Sequence, residues 1–189
     1  MAAPRHSELD LYDEAAVRQA LDGVDAIYHL ATRIPPPQAQ GQAGAWDEND
    51  RLRSEASRIL VEAALASNVS LFVQPSVTFV YPPEVPADED TPVTPAANLG
   101  SMIAAERQCR RFTDAGRQGV VLRLGLLWGP GTGSDAPNNR YGATLHVADA
   151  GSALLAALDL PAGIYNVVSD GSRIANQRFK TATAWRPKY

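Results

Sequence analysis

Short runs of consecutive apolar residues alternate along this chain with longer segments in which apolar positions recur every three or four residues. Gly23-Val24-Asp25 leads into Ala26-Ile27-Tyr28-His29-Leu30. Leu71-Phe72-Val73, Val120-Val121-Leu122-Arg123-Leu124 and Ile164-Tyr165-Asn166-Val167-Val168 follow. Unbroken runs, unlike alternating ones, fit strands covered on both faces. Between them, Asp13 is placed to cap a helix running to Leu21, with Val17, Ala20 and Leu21 turned inward. Leu52, Ala56, Ile59, Leu60, Ala63 and Ala64 form a helical stripe on a longer helix that ends near Asn68. Residues 103–112 and 147–158 predict two further helices. Strands alternating with helices long enough to cross over predict an α/β protein with a parallel sheet.

Two segments break the alternation. Residues 34–44 hold Pro35-Pro36-Pro37 and a Gln/Gly/Ala tract, and residues 82–95 are proline-rich with an acidic trio, Asp88-Glu89-Asp90. Both read as loops. Long loops after strand ends line the ligand crevice of α/β domains, and a solvated connection without a role is the plain alternative. A length of 189 residues suits one domain with its own core. The net charge of −4 argues against nucleic acid or an anionic membrane as the main partner. The longest apolar stretch, residues 119–128, is interrupted by Arg123 and is too short to cross a bilayer. Residues 1–8 are polar and do not read as a secretory signal. Cys109 is the single cysteine, which rules out an internal disulfide and fits a reducing, cytoplasmic location. His29 and His146 lack a second ligand at metal spacing, so both read as structural and no metal site is expected.

Four stretches carry a family likeness. The first is Asp10-Leu11-Tyr12-Asp13 with the segment Ala20-Leu21-Asp22-Gly23-Val24-Asp25-Ala26-Ile27-Tyr28-His29-Leu30-Ala31. The second is Leu71-Phe72-Val73-Gln74-Pro75-Ser76 with Val80-Tyr81. The third is Val121-Leu122-Arg123-Leu124-Gly125-Leu126-Leu127-Trp128-Gly129-Pro130-Gly131. The fourth is His146-Val147-Ala148-Asp149-Ala150 with Gly163-Ile164-Tyr165-Asn166-Val167. In this order and spacing they resemble the extended short-chain dehydrogenase/reductase family, in its NAD-dependent epimerase/dehydratase branch. The resemblance implies a Rossmann-like parallel sheet with helices on both faces, its N-terminal strands missing or atypical here. Residues 1–189 would then be a single truncated NAD(P)-binding domain with a short C-terminal substrate-side tail. It also implies NAD or NADP as cofactor, with Asp10 and Leu11 at the adenine and Leu30, Ala31 and Thr32 along the ribose. A small-molecule or nucleotide-linked substrate is implied, as is a homodimer built on residues 52–67 and 98–115.

The departures from the family pattern are as informative as the matches. No G-x-x-G-x-x-G stands near the start. Gly129-Pro130-Gly131-Thr132-Gly133 reads as a turn, because a nucleotide fingerprint opens a helix directly after the first strand. In the family the first strand lies beside the one at Ala26–Leu30, so its absence predicts an unpaired edge. A late start, an edge supplied by a partner and a rearranged fold each account for that, the first most simply. The chemical positions also differ. The family's proton-transferring Tyr aligns with Asn98, its Lys with Met102 and its Ser/Thr with Val77. The only lysines are Lys180 and Lys188. Asn cannot titrate, Met carries no charge and Val donates no hydrogen bond. Asn98 reads instead as a helix N-cap and Met102 as a gap-filler on the helix. A one-residue slip brings Ser76 or Thr78 to the hydroxyl position, and Tyr81 or Tyr141 could serve as a relocated acid.

Three functional readings stay open at this point. The chain is an NAD(P)-dependent epimerase, dehydratase or related oxidoreductase; or a non-catalytic relative that binds a ligand or partner, its cofactor lost or kept; or an enzyme with relocated chemistry.

Overall fold

The structure, a computed structural model, describes residues 9–189. The polar lead at residues 1–8 lies outside the described residues. Helix α1 (Glu14–Ala20) starts where the sequence places it. The Asp13 carboxylate accepts the N–H groups of Ala15 and Ala16, which removes two of the helix's orphan donors. Strand β1 (Ala26–Tyr28) follows, then α2 (Asp47–Arg51), a π-helical turn (Leu52–Ala56) and α3 (Ser57–Leu65). The expected helical stripe is thus one face of a single long helical segment. After it come β2 (Leu71–Val77), α4 (Gly100–Asp114), β3 (Gln118–Leu124), β4 (Leu126–Trp128), β5 (Thr144–His146), α5 (Val147–Ala156), β6 (Gly163–Val167) and α6 (Gln177–Ala182).

The strands β1, β2, β3 and β6 form a parallel sheet in that order, and β4 pairs with β5 in a small parallel sheet beyond it. Helices cover both faces, which explains the unbroken apolar runs. On one face Val17 and Leu21 of α1, Ile59, Leu60 and Ala63 of α3, and Cys109 and Phe112 of α4 pack on Ile27, Phe72 and Val121. On the other, Ala150 and Ala153 of α5 pack with Phe179 and Trp185 on Leu71, Val73, Val120, Leu122 and Val167. Among the described residues β1 is an edge strand, as expected, and it is only three residues long.

One expectation is corrected. Asn98 does not cap α4. The chain enters that helix through a 3₁₀ turn (Ala97–Leu99), Leu99 takes the N-cap position, and no side chain caps it. The Leu99 N–H is already bonded to the Ala96 carbonyl at 2.8 Å, so the backbone is turning before an extended N-cap residue could form. Met102 is buried on α4, as expected of a gap-filler.

The Phe72 ring is completely buried and meets Phe112 at 5.9 Å between centroids. Phe72→Ala is expected to lower stability by about 3–5 kcal/mol, read by urea denaturation. A loss under 1 kcal/mol would mean that this face of the sheet is not the closed core described.

Candidate active-site cleft

The register of the parallel sheet sets three polar side chains abreast. Ser76 of β2 pairs with Arg123 of β3, and Arg123 with Asn166 of β6. All three are buried on the face that α4 covers. Glu106 of α4 descends onto them. Its carboxylate accepts from Arg123 Nε at 3.0 Å and from Nη2 at 2.7 Å, and from the Ser76 hydroxyl at 2.5 Å. Arg123 Nη1 donates to the Tyr81 hydroxyl at 2.9 Å, which itself donates to Asn166 Oδ1 at 2.9 Å. The Asn166 backbone N–H is taken by Glu89 at 2.8 Å, which ties the loop of residues 82–95 to the outer edge of β6. Every buried polar group in this chain of contacts has a partner, the condition for such a network to be stable. Burial raises the Tyr81 pKa above the ordinary phenol value, although Arg123 beside it works in the other direction.

Tyr81 of this network also lines an open cleft of about 480 Å³ beyond the carboxyl ends of the strands. Phe79 and Tyr141 stack in it at 4.2 Å, and Asn98, Thr94, Asn139, Glu84, Arg140 and Arg173 complete the polar lining. Arg173 ties the two flanking loops together through the carbonyls of Val85 and Tyr141. It can lie there only because residue 142 is glycine: a Cβ at Gly142, which has φ +81°, would come within 2.0 Å of Arg173 Nε. Glu84 on the rim adopts φ +64°, an uncommon backbone for a residue with a side chain.

Three of the candidate hydroxyls are engaged. Ser76 serves Glu106, Thr78 is buried with its hydroxyl 3.4 Å from the Leu124 carbonyl, and Tyr81 is held between Arg123 and Asn166. Val77 ends β2, half-buried. Asn98 stands exposed on the cleft, with Met102 buried one turn further on. The residues expected to meet a cofactor gather around α2. Asp10 accepts the Tyr12 N–H at 2.9 Å, the Tyr12 hydroxyl donates to Glu48 at 2.9 Å, and Arg51 lies 3.6 Å over its ring. From the other side, Thr32 Oγ1 and the Arg33 N–H donate to Asn49 Oδ1 at 2.9 and 3.0 Å. Leu11 packs under α1 and α3, Leu30 is half exposed and Ala31 is partly covered. Asn49 is fully buried, and its Nδ2 has no partner among the described residues.

His29 and His146 have structural partners. His29 is buried, with Nε2 3.1 Å from the Leu52 carbonyl where the π-helical turn begins; burial holds its pKa below the ordinary histidine value. His146 caps α5 by accepting the Ala148 N–H at 3.3 Å and stacks between Trp128 and Tyr189. The Glu106–Arg123 pair escaped the sequence reading. Its signal was the arginine interrupting an otherwise apolar strand, which is an expensive residue to bury without a partner.

Residues 2–160 match the NAD dependent epimerase/dehydratase family. The chain belongs to that family. Among curated relatives, a 3-diazoavenalumate denitrifying reductase of Streptomyces sp is 31% identical over 211 residues, covering 95% of this chain and 65% of the relative. A 2-alkyl-3-oxoalkanoate reductase of Stenotrophomonas maltophilia is 33% identical over 133 residues, covering 65% of this chain and 38% of the relative. The chain therefore spans less than two thirds of the length of either. Among solved structures, RMD from Pseudomonas aeruginosa complexed with NADPH superposes with a TM-score of 0.80 at 20% identity, over 99% of this chain and 85% of that one. UDP-glucuronic acid 4-epimerase from Bacillus cereus in complex with NAD gives 0.77 at 15% identity, over 95% and 74%. These likenesses show the Rossmann-like α/β fold.

A dinucleotide needs a glycine-rich turn opening a helix to hold its pyrophosphate. Among the described residues no such turn is present. The run from Gly129 to Gly133 closes on itself through a Gly129–Ser134 bridge and leads into no helix. The described residues thus hold no phosphate cradle for a dinucleotide.

Removing one member of a buried ion pair strands the other charge. Arg123→Met and Glu106→Gln are each expected to cost about 3–5 kcal/mol, while Glu106→Leu combined with Arg123→Met recovers much of the loss. Chemical denaturation of the four proteins decides this, and additive losses would refute it. For His29 the folded pKa lies below the unfolded one. Its contribution to stability is complete above the ordinary histidine pKa and is lost as pH falls through the lower folded value. His29→Gln is expected to flatten the acid side of the stability–pH curve below about pH 6.5; an unchanged slope would contradict this.

Proposed function

We propose that this chain binds a small anionic ligand in the cleft beyond its strands, and that it does not perform the tyrosine–lysine proton transfer that its family resemblance implies. The observation that carries this reading is the pair at residues 98 and 102. Asn98 faces the open cleft and Met102 is buried behind it, so neither proton donor nor pKa-lowering cation stands where that chemistry would take place. The neighbouring hydroxyls do not substitute for them. Tyr81 is buried, doubly bonded and raised in pKa, the opposite of what acid–base catalysis near neutral pH needs. An anion is favoured because two arginines, Arg140 and Arg173, line the cleft against one carboxylate, Glu84. The substrates and ligands for which the relatives are named agree in sign: oxoalkanoates, a diazoavenalumate, UDP-glucuronic acid, NAD and NADPH are all anions.

NAD or NADP is assigned to the walls around α2, with Asp10 and Leu11 toward the adenine and Leu30, Ala31 and Thr32 toward the ribose. The bound cofactor would supply a hydride donor or acceptor. This chain's residues would only position it, and the phosphates would need donors beyond those described. A second reading rests on Tyr141, which is partly exposed in the cleft with the Arg140 guanidinium 5.3 Å from its ring. Tyr141 is the candidate tyrosine whose side chain is exposed in the cleft, which makes it the relocated acid of this reading.

Titration calorimetry with NADPH, UDP-glucuronate and simple carboxylates, followed by turnover assays, separates the readings. At least one anion is expected to saturate and to raise the melting temperature. Turnover is expected to be absent in the native chain. Turnover abolished by Tyr141→Phe would favour the second reading; failure of every anion to bind would remove the first.

A further inference from the structure

We infer that the helical face of residues 52–67 and 98–115 does not receive a second copy of this chain, so the homodimer that the family resemblance implies does not form through it. A two-fold interface sets one surface patch against its own copy. A four-helix seam of that kind is held by apolar side chains on the facing helices, and the core of such an interface is depleted of charge. Here α1, α3 and α4 lie side by side over the sheet with their apolar residues turned inward. What remains outward is ionic. Arg58 of α3 meets Glu62 at 2.6 Å and Glu14 of α1 at 3.2 Å, Glu14 meets Arg18 at 3.6 Å, and Arg111 of α4 lies 3.6 Å from Glu62. One network of five charged side chains thus crosses three helices. Arg51 and Glu55 add a separate pair at 2.7 Å.

The side chains of this network are between 37% and 62% exposed, so each pair adds little to stability. Their consequence is for association. A copy docked on this face would strip water from charges whose partners already stand within the chain, a cost that no new pairing offsets. The outer turns of α4 add repulsion. Arg107 and Arg110 are exposed and have no ion pair among the described residues. With Arg111 they set three outward arginines on α4 against one outward carboxylate, Asp114. A patch with that imbalance meets its own copy positive against positive, which disfavours the contact. Nor is there apolar surface to compensate. No large apolar side chain of either helical segment is exposed; Leu155 and Leu158, which are exposed, lie on and just after α5.

The test is sedimentation velocity on the full chain, over a wide range of concentration and at low and high salt. The mass of a single chain is expected throughout, because salt screens the repulsion but supplies no apolar seam. The combined variant Arg58→Leu, Glu62→Leu, Arg107→Leu and Arg111→Leu is expected to self-associate at concentrations where the native chain does not. Ala104→Arg probes the same face, since residues 104, 107 and 111 share one side of α4. Melting temperatures close to the native value would confirm that both variants fold. A native dimer that Ala104→Arg returns to the single-chain mass would overturn the inference. So would a folded leucine variant that stays a single chain, because charge would then not be what keeps the face apart. A native dimer that Ala104→Arg leaves intact uses another surface and supports it.

Discussion

The charge of Arg123, held inside the sheet, is the constraint around which the rest of this molecule is arranged. A guanidinium that is 4% exposed cannot be left without acceptors, because the desolvation cost of an isolated charge exceeds the stability of a small domain. Glu106 meets it with two parallel bonds, and that requirement fixes how α4 lies on the sheet. Tyr81 takes a third donor and Asn166 completes the chain. Each element at the carboxyl end of the sheet is thereby located by the same cation: β2 through Ser76, the following loop through Tyr81, β6 through Asn166, and the loop of residues 82–95 through Glu89.

That arrangement also decides what is left for a ligand. A hydroxyl that satisfies a buried arginine or carboxylate is not free to exchange protons with a substrate. Ser76 and Tyr81 are consumed in this way. The groups that do face the cleft are two amides, a threonine hydroxyl, a carboxylate, an aromatic pair, and two arginines of which one is tied to backbone carbonyls. The result is a cavity with directional polarity and two cations on its described lining. The chain belongs to the NAD dependent epimerase/dehydratase family, and the positions that the sequence reading aligned with that family's Tyr, Lys and Ser/Thr carry Asn98, Met102 and Val77.

Several features were legible in advance because they depend on neighbours in sequence. Asp13 caps α1 because an Asx side chain reaches N–H groups two and three residues ahead. The apolar runs became strands covered on both faces because an unbroken run leaves no face for water. Arg123 could be seen to interrupt its run, but nothing nearby in sequence named its partner, which lies on the preceding helix. Asn98 was misread for a related reason. An asparagine after a proline is a good N-cap in isolation, but the Leu99 N–H bond to the Ala96 carbonyl carries the chain into α4 through a 3₁₀ turn.

The sequence by itself therefore determined the class of the fold, the order of its elements, the family and the absence of a titrating pair at residues 98 and 102. The fold class, element order and residue types follow from local patterning, and the family from the resemblance carried by four stretches in order. Only the tertiary structure decided which polar residues meet. It set Ser76, Arg123 and Asn166 abreast through strand register, turned Tyr81 inward and Asn98 outward, and left Arg140 free while committing Arg173. These are contacts between residues tens of positions apart, and their pairing is selected by the cost of burying an unmatched charge, a quantity that does not exist until the chain has closed around it.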